Sequence, residues 1–148
     1  MAEEFAITVK GVDDTCKGLD QLPRSMVKHA FAKALAAASV PVVRALQART
    51  PKLTGDLVEH ITTEISIDAQ GRGGRADTGF GKEGWKARLV EYGHRMVGHK
   101  PDRKEIGLVA AHVFMAPATS DSADAAVEAF DESLRDSVES GLREIDAV

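Results

Sequence analysis

Apolar residues recur at helical spacing in two stretches, one in each half of the chain, and these two stretches restrict the possible folds most. Between residues 27 and 46 apolar side chains recur at intervals of three and four, which predicts a helix from Pro23 to about Arg49. Pro41 lies inside this pattern and lacks a backbone N–H, so we expect a kink there. A second stripe follows a serine at position 120 or 122, which could cap a long final helix. The stripes consist of Val27, Phe31, Leu35, Ala38, Val42 and Leu46, and of Val127, Phe130, Leu134, Val138 and Ile145.

Strand patterns occupy other parts of the chain. The clearest is the strict alternation over residues 61–68, with Ile61, Ile65 and Ile67 on one face, followed by a glycine-rich turn and a returning strand. Shorter patterns predict further strands over 5–10 and 108–114 and short helices over 13–22, 56–60 and 83–92. The chain is therefore predicted to be a single α+β domain over residues 1–148: a small, mostly antiparallel sheet with two long helices packed on one face.

One polar, basic segment, residues 94–107, lacks apolar anchors and is predicted to be a long mobile loop. It is a candidate for ordering when a partner binds. Its cationic residues, the candidate contacts, are Arg95, Lys100, Arg103 and Lys104.

Composition narrows the class of protein. Cys16 is the only cysteine, so neither an intrachain disulfide nor a zinc site of four cysteines can form. The longest run without charged residues, 106–120, is shorter than the roughly 20 apolar residues that cross a bilayer. The first residues do not show the pattern of a signal peptide. We expect a cytoplasmic protein with no membrane partner.

Charge is distributed unevenly along a chain with a net charge of −4. Residues 24–52 contain six basic and no acidic residues, whereas residues 121–148 contain nine acidic residues against Arg135 and Arg143. Two interpretations remain open. The two helices attract each other within one molecule, or the acidic face of one subunit meets the basic face of another, as in a head-to-tail ring.

Catalytic, cofactor and metal sites are not predicted. His94, His99 and His112 are unevenly spaced, and two of them lie in the predicted loop, which is a poor frame for a zinc site. The glycines over 79–84 lack both the Walker pattern and a βαβ context for nucleotide binding. With no acid–base pair or nucleophile elbow, we expect a protein that is not an enzyme.

Three short motifs, in this order and spacing, resemble a known family. They are Pro51-Lys52-Leu53-Thr54-Gly55-Asp56-Leu57, Ala87-Arg88-Leu89-Val90-Glu91-Tyr92-Gly93-His94 and Phe114-Met115-Ala116-Pro117-Ala118. Together they are similar to the tail-completion, or minor tail component, proteins of long-tailed bacteriophages. The positions that carry the resemblance are Pro51, Thr54, Gly55, Leu57, Glu91, Tyr92, Gly93, Phe114 and Pro117. Val113 and Ala116 depart from the family pattern.

The resemblance implies a structural virion protein of the neck, assembled in the host cytoplasm. Identical subunits would form an oligomeric ring that completes the tail and joins it to the head connector or stopper on one side and the tail terminator or tube proteins on the other. Genome DNA would pass through the ring without specific binding. A tail-completion role and a tail-terminator role remain open.

Individual residues have a structural and a functional interpretation. Thr54 and Gly55 can simply cap and turn the chain, and Glu91 can hold the end of a short helix through backbone N–H groups instead of contacting a partner. The acidic side chains of the final helix can line a DNA channel or form a subunit contact. The candidates for that face are Asp131, Glu132 and Asp136.

A different class of function also fits the basic segments. A cytoplasmic nucleic-acid-binding regulator would use the basic helix and the basic loop, and would bind DNA in a salt-dependent way. A small hydrolase is the third possibility, but no residues can be named for it.

Overall fold

The computed structural model describes residues 12–52, 56–71 and 73–148, so the strand predicted over 5–10 lies outside the described residues. The helices are separated by two pairs of consecutive antiparallel strands, an α+β arrangement that confirms the predicted fold class. In chain order the elements are α1 (Val12–Gln21), α2 (Arg24–Arg49), α3 (Asp56–Glu59), β1 (Thr62–Ile67), β2 (Gly74–Gly79), a 3-10 turn (Gly81–Glu83), α4 (Gly84–Tyr92), β3 (His94–Val97), β4 (Glu105–Val109) and α5 (Met115–Asp146).

The pairing of the two long helices, α2 and α5, forms the centre of the molecule. Ala30 and Ala34 are buried against Leu134, and small side chains allow helix axes to approach closely. Phe31 and Phe130 pack beside them with ring centroids 6.3 Å apart. The basic helix and the acidic helix therefore lie together within one molecule, as one of the two charge interpretations predicts.

The N-terminal helix α1 closes one end of this pair. Leu22, just after α1, packs with Val27 and Val138 in a second buried cluster. Gly18 permits the contact, because a Cβ at this position would lie 2.5 Å from the Cγ1 of Val138. The short helix predicted over 13–22 is thus confirmed, and its packing explains why a glycine interrupts it.

The strands form two separate two-stranded antiparallel sheets in the described part of the chain. β1 and β2 pair with Ile65 opposite Ala76, and both strands pack against α2. The predicted alternation is confirmed, although Ile65 is exposed because this small sheet is covered only in part.

The second sheet corrects a prediction. Residues 94–107 were predicted as a loop, but β3 and β4 pair across this segment in a hairpin with a bulge at Met96 and Val97. The strand predicted over 108–114 is also wrong in its bounds, since β4 ends at Val109. Cross-strand backbone hydrogen bonds stabilise this hairpin, and such bonds leave little trace in a polar, basic sequence.

The bounds of α2 agree with the prediction: it runs from residue 24 to residue 49 as one helix that includes Pro41, where the expected kink stays a prediction. By length and composition alone it could also cross a membrane. In the structure it packs along α5 and against β1 and β2, which is the position of a core helix. α5 begins at Met115, before the serines that were predicted to cap it.

Candidate functional site

A buried carboxylate caps the long final helix from outside it. Glu91, near the end of α4, is only 4% exposed, and its Oε2 accepts hydrogen bonds from the backbone N–H groups of Phe114 at 2.8 Å and Met115 at 3.0 Å. The first N–H groups of a helix have no partner within it, and a negative charge there is favourable. The structure thus agrees with the interpretation of Glu91 as a ligand of backbone N–H groups, but the helix end that it binds belongs to α5.

The protonation of Glu91 follows from these contacts. Burial raises the pKa of its carboxyl. The backbone N–H groups at the start of α5 and the nearby His112 lower this pKa by more than burial raises it, so the net pKa lies below the ordinary value. Glu91 is therefore a fixed negative charge at neutral pH.

Phe114 anchors the same junction from the apolar side. It is 1% exposed and meets Phe80 edge to face, with ring centroids 5.7 Å apart. Leu46, Ala87 and Ala118 complete this buried cluster. Two sequence motifs that lie 23 residues apart therefore form one structural unit, in which α4, the start of α5 and the end of α2 meet.

Gly93 and Pro117 fit this junction for backbone reasons. Gly93 has a φ of 71°, and a Cβ there would lie 2.5 Å from the carbonyl oxygen of Val109. Pro117 lies in the first turn of α5, where a backbone N–H would have no acceptor within the helix, so its absence costs no helical hydrogen bond. Both motif positions have a structural role.

The first motif is described only in part. Thr50 ends α2, with its hydroxyl donating to the carbonyl of Leu46, and Pro51 follows it half-buried. Leu57 packs against the Phe80–Phe114 cluster. Thr54 and Gly55 lie outside the described residues.

α4 carries an exposed apolar face opposite its buried side. Trp85, Leu89 and Tyr92 follow each other at helical spacing, and they point away from the core: Trp85 is 60% exposed and Tyr92 is 72% exposed. Large aromatic side chains that are left in solvent are typical of protein contact surfaces.

The hairpin that follows α4 is exposed on both faces. Ile106 is 68% exposed and Leu108 is 72% exposed, and Met96 and Val97 are also open to solvent. A lone two-stranded hairpin is marginally stable in water. Its four candidate contact residues, Arg95, Lys100, Arg103 and Lys104, are all exposed. We call α4's apolar face together with this hairpin the α4–hairpin surface.

The three candidate acidic residues of α5 do not share one environment. Asp131 is half-buried and forms an ion pair with Arg135 at 3.1 Å. Glu132 and Asp136 are exposed, and they continue a line that begins with Asp124 and Glu128. We call these four exposed carboxylates, Asp124, Glu128, Glu132 and Asp136, the acidic stripe.

In residues 12–52, 56–71 and 73–148 no three His, Cys, Asp or Glu side chains lie close enough together to hold a metal ion. Cys16 is exposed and forms no disulfide in the described residues.

Comparison with known proteins gives the family. No curated protein and no solved structure matches the chain. A family model, HK97-gp10-like, described as "Bacteriophage HK97-gp10, putative tail-component", matches residues 13–93, which is more than half of the chain and includes the first motif and the second except for its last residue, His94. The chain belongs to the HK97-gp10-like family of bacteriophage tail components.

Proposed function

We propose that this protein completes the phage tail and joins it to the head connector, as one subunit of an oligomeric ring in the neck. The observation that carries the proposal is the α4–hairpin surface. A virion subunit of this family that leaves Trp85, Tyr92 and Leu108 in solvent has a surface suited to a protein partner.

The chemistry of this surface suits assembly. Trp and Tyr lose little conformational entropy when they bind, and they contribute most when a partner shields them from water. The cationic residues around the hairpin form a polar rim, which orients a partner more than it adds affinity. The surface thus combines an apolar centre with a charged edge.

Ring closure needs two different surfaces on each subunit. A heterologous contact repeats around a closed ring only when one patch fits another patch on the next copy. The α4–hairpin surface is basic at its rim, whereas α5 exposes carboxylates. In such a ring, α5 carboxylates that lie outside the subunit contact and face the channel would repel the phosphates of the genome and let DNA pass without specific binding.

A nucleic-acid-binding regulator remains the second candidate, supported by the same basic hairpin. Two-stranded ribbons with cationic side chains enter DNA grooves in some DNA-binding proteins. The exposed carboxylates of α5 and the net charge of −4 oppose it. Titration of the purified protein with duplex DNA at two salt concentrations separates the candidates, since only the regulator should bind, and more weakly at high salt.

The joining role is tested by electron microscopy of a lysate in which only this gene is disrupted in its parent phage. Full heads and finished tails lying apart support joining. Connected, normal particles exclude it. Tails of uncontrolled length would instead assign a terminator role.

Replacing Trp85 and Tyr92 together by serine should abolish joining but leave the fold intact. Both side chains are exposed, so thermal unfolding should change little, whereas loss of aromatic anchors weakens protein contacts by about 2 kcal/mol each, roughly 30-fold. The measurement is complementation of the disrupted phage, scored as infectious particles.

The matched control is Ile145→Ser, which removes an exposed apolar side chain near the end of α5. It should complement as well as the wild-type gene. Full complementation by the Trp85 and Tyr92 double variant would show that α4 does not contact a partner.

A further inference from the structure

The hairpin β3–β4 and the acidic stripe of α5 have opposite charge and similar length. Residues 94–109 carry four Lys and Arg residues against Asp102 and Glu105, whereas the stripe is uniformly negative. The stripe covers 13 residues of helix, about 18 Å from first to last at 1.5 Å per residue. Strands of four to five residues extend about 15 Å. Strand β4 can therefore lie along the stripe, with Lys100, Arg103 and Lys104 in the turn at one end of it.

Within the described residues, most charges of the hairpin and all four carboxylates of the stripe lie outside any ion pair. Arg95 pairs across the hairpin with Glu105 at 3.5 Å, and the other three cations of the hairpin form no ion pair in the described residues. The stripe carboxylates likewise have no ion pair within the ranges that the structure covers. The carboxylates of α5 that do form ion pairs are Asp121, Asp131 and Glu139. Complementary charges thus remain open on two separate surfaces of one chain.

The hairpin also needs apolar cover that α5 can supply. Ile106 and Leu108 are largely exposed. Beside the stripe, Ala125 is exposed and Ala129 is half-buried, so the surface there is low and apolar. A strand can approach small side chains closely, and the aliphatic parts of longer acidic side chains can flank it.

We propose that the hairpin of one copy docks along the acidic stripe of α5 in a second copy, which rests on the proposed ring function and names its subunit contact. The contact is heterologous, because the two surfaces lie on different elements, and it repeats from copy to copy. Lys100, Arg103 and Lys104 face the stripe carboxylates, and the apolar residues of β4 cover the alanines.

The experiment is a charge swap measured by sedimentation velocity. One variant carries Lys100→Glu, Arg103→Glu and Lys104→Glu, which leaves the Arg95–Glu105 pair in place. The other carries Glu128→Lys, Glu132→Lys and Asp136→Lys, on exposed helix positions. Each variant alone should associate at least about 30-fold more weakly than the wild type, because like charges meet at the contact.

Mixing the two variants is the decisive measurement. An acidic hairpin then meets a basic stripe, and a basic hairpin meets an acidic stripe, so association should return to near the wild-type level. Circular dichroism and thermal unfolding of each variant show that it is folded. Raising the salt concentration should weaken association of both the wild type and the mixture.

Three results would overturn the proposal: a wild-type chain that stays monomeric up to its solubility limit, single variants that assemble like the wild type, or folded variants whose mixture fails to assemble. These failures differ from failure of the joining role. Separated heads and tails in the disrupted lysate would still support joining even if the subunits meet through other surfaces.

Discussion

Replacing Phe114 by alanine should lower the free energy of unfolding by about 3–5 kcal/mol, the largest effect that we expect of any single substitution described here. Phe114 is almost completely buried, and its ring packs edge to face on Phe80. Removing it leaves a cavity where α4, α5 and the end of α2 meet, and backbone fixed by the Glu91 hydrogen bonds limits collapse into that cavity. Urea unfolding followed by circular dichroism measures the change.

The neighbouring residue gives a matched control. Val113 is 58% exposed, so Val113→Ala should change stability by no more than about 0.5 kcal/mol. If Phe114→Ala costs under about 1 kcal/mol, the cluster around Phe80 is not the core that holds the two motifs together.

Glu91→Gln should lower the free energy of unfolding by about 2–3 kcal/mol at neutral pH. The amide oxygen can still accept from the N–H groups of Phe114 and Met115, but it carries no negative charge to favour the N-terminal end of the helix dipole. Part of the cost is the desolvation of buried N–H groups that lose a charged acceptor.

The difference between wild type and Glu91→Gln should also depend on pH. The pKa of Glu91 is lowered in the folded protein, so its stabilisation is complete above the unfolded pKa of about 4.3 and is lost as pH falls through the folded pKa. The unfolding curves of the two proteins should therefore differ at pH 7 and converge at successive pH values below 4.3. Curves that stay equally far apart at low pH would contradict capping by the ionised carboxylate.

Glu144→Gln provides the control for this experiment. Glu144 is an exposed residue in the last turns of α5, so neutralising it should change stability by no more than about 0.5 kcal/mol. A loss equal to that of Glu91→Gln would show that net charge, not the buried contact, causes the effect.

Elements with strong periodic patterns were predictable from the sequence. A helix or strand that buries one face repeats apolar residues along the sequence with its own period. The stripe from Val27 to Leu46 has the helical period and forms α2, and the alternation around Ile65 has the strand period and forms β1. The hairpin was missed because its strands are short, the turn between them is polar and basic, and the register shift at Met96 and Val97 breaks the alternation.

The start of α5 shows a different limit. Local rules look for a serine or aspartate just before a helix, but the cap here is Glu91, 23 residues upstream. Both motifs were visible in the sequence; the contact between them was not. A buried Glu in an otherwise apolar helix face is the signal that could have suggested it.

Periodicity also could not decide which face of α4 is covered. Trp85, Leu89 and Tyr92 share one side of α4, but a helical stripe looks the same whether a core or a partner covers it. The contact roles of the hairpin cations and the acidic residues stay predictions that assembly experiments must test.

The contact of Glu91 with the start of α5 also affects how the protein unfolds. α4 presents its aromatic residues to solvent on one side and holds α5 through a buried carboxylate on the other. The helix cannot unravel without releasing the first turn of α5 and opening the Phe114 cluster. The exposed surface and the interior therefore belong to one cooperative unfolding unit, and a partner that binds α4 protects the interior of the subunit from local opening.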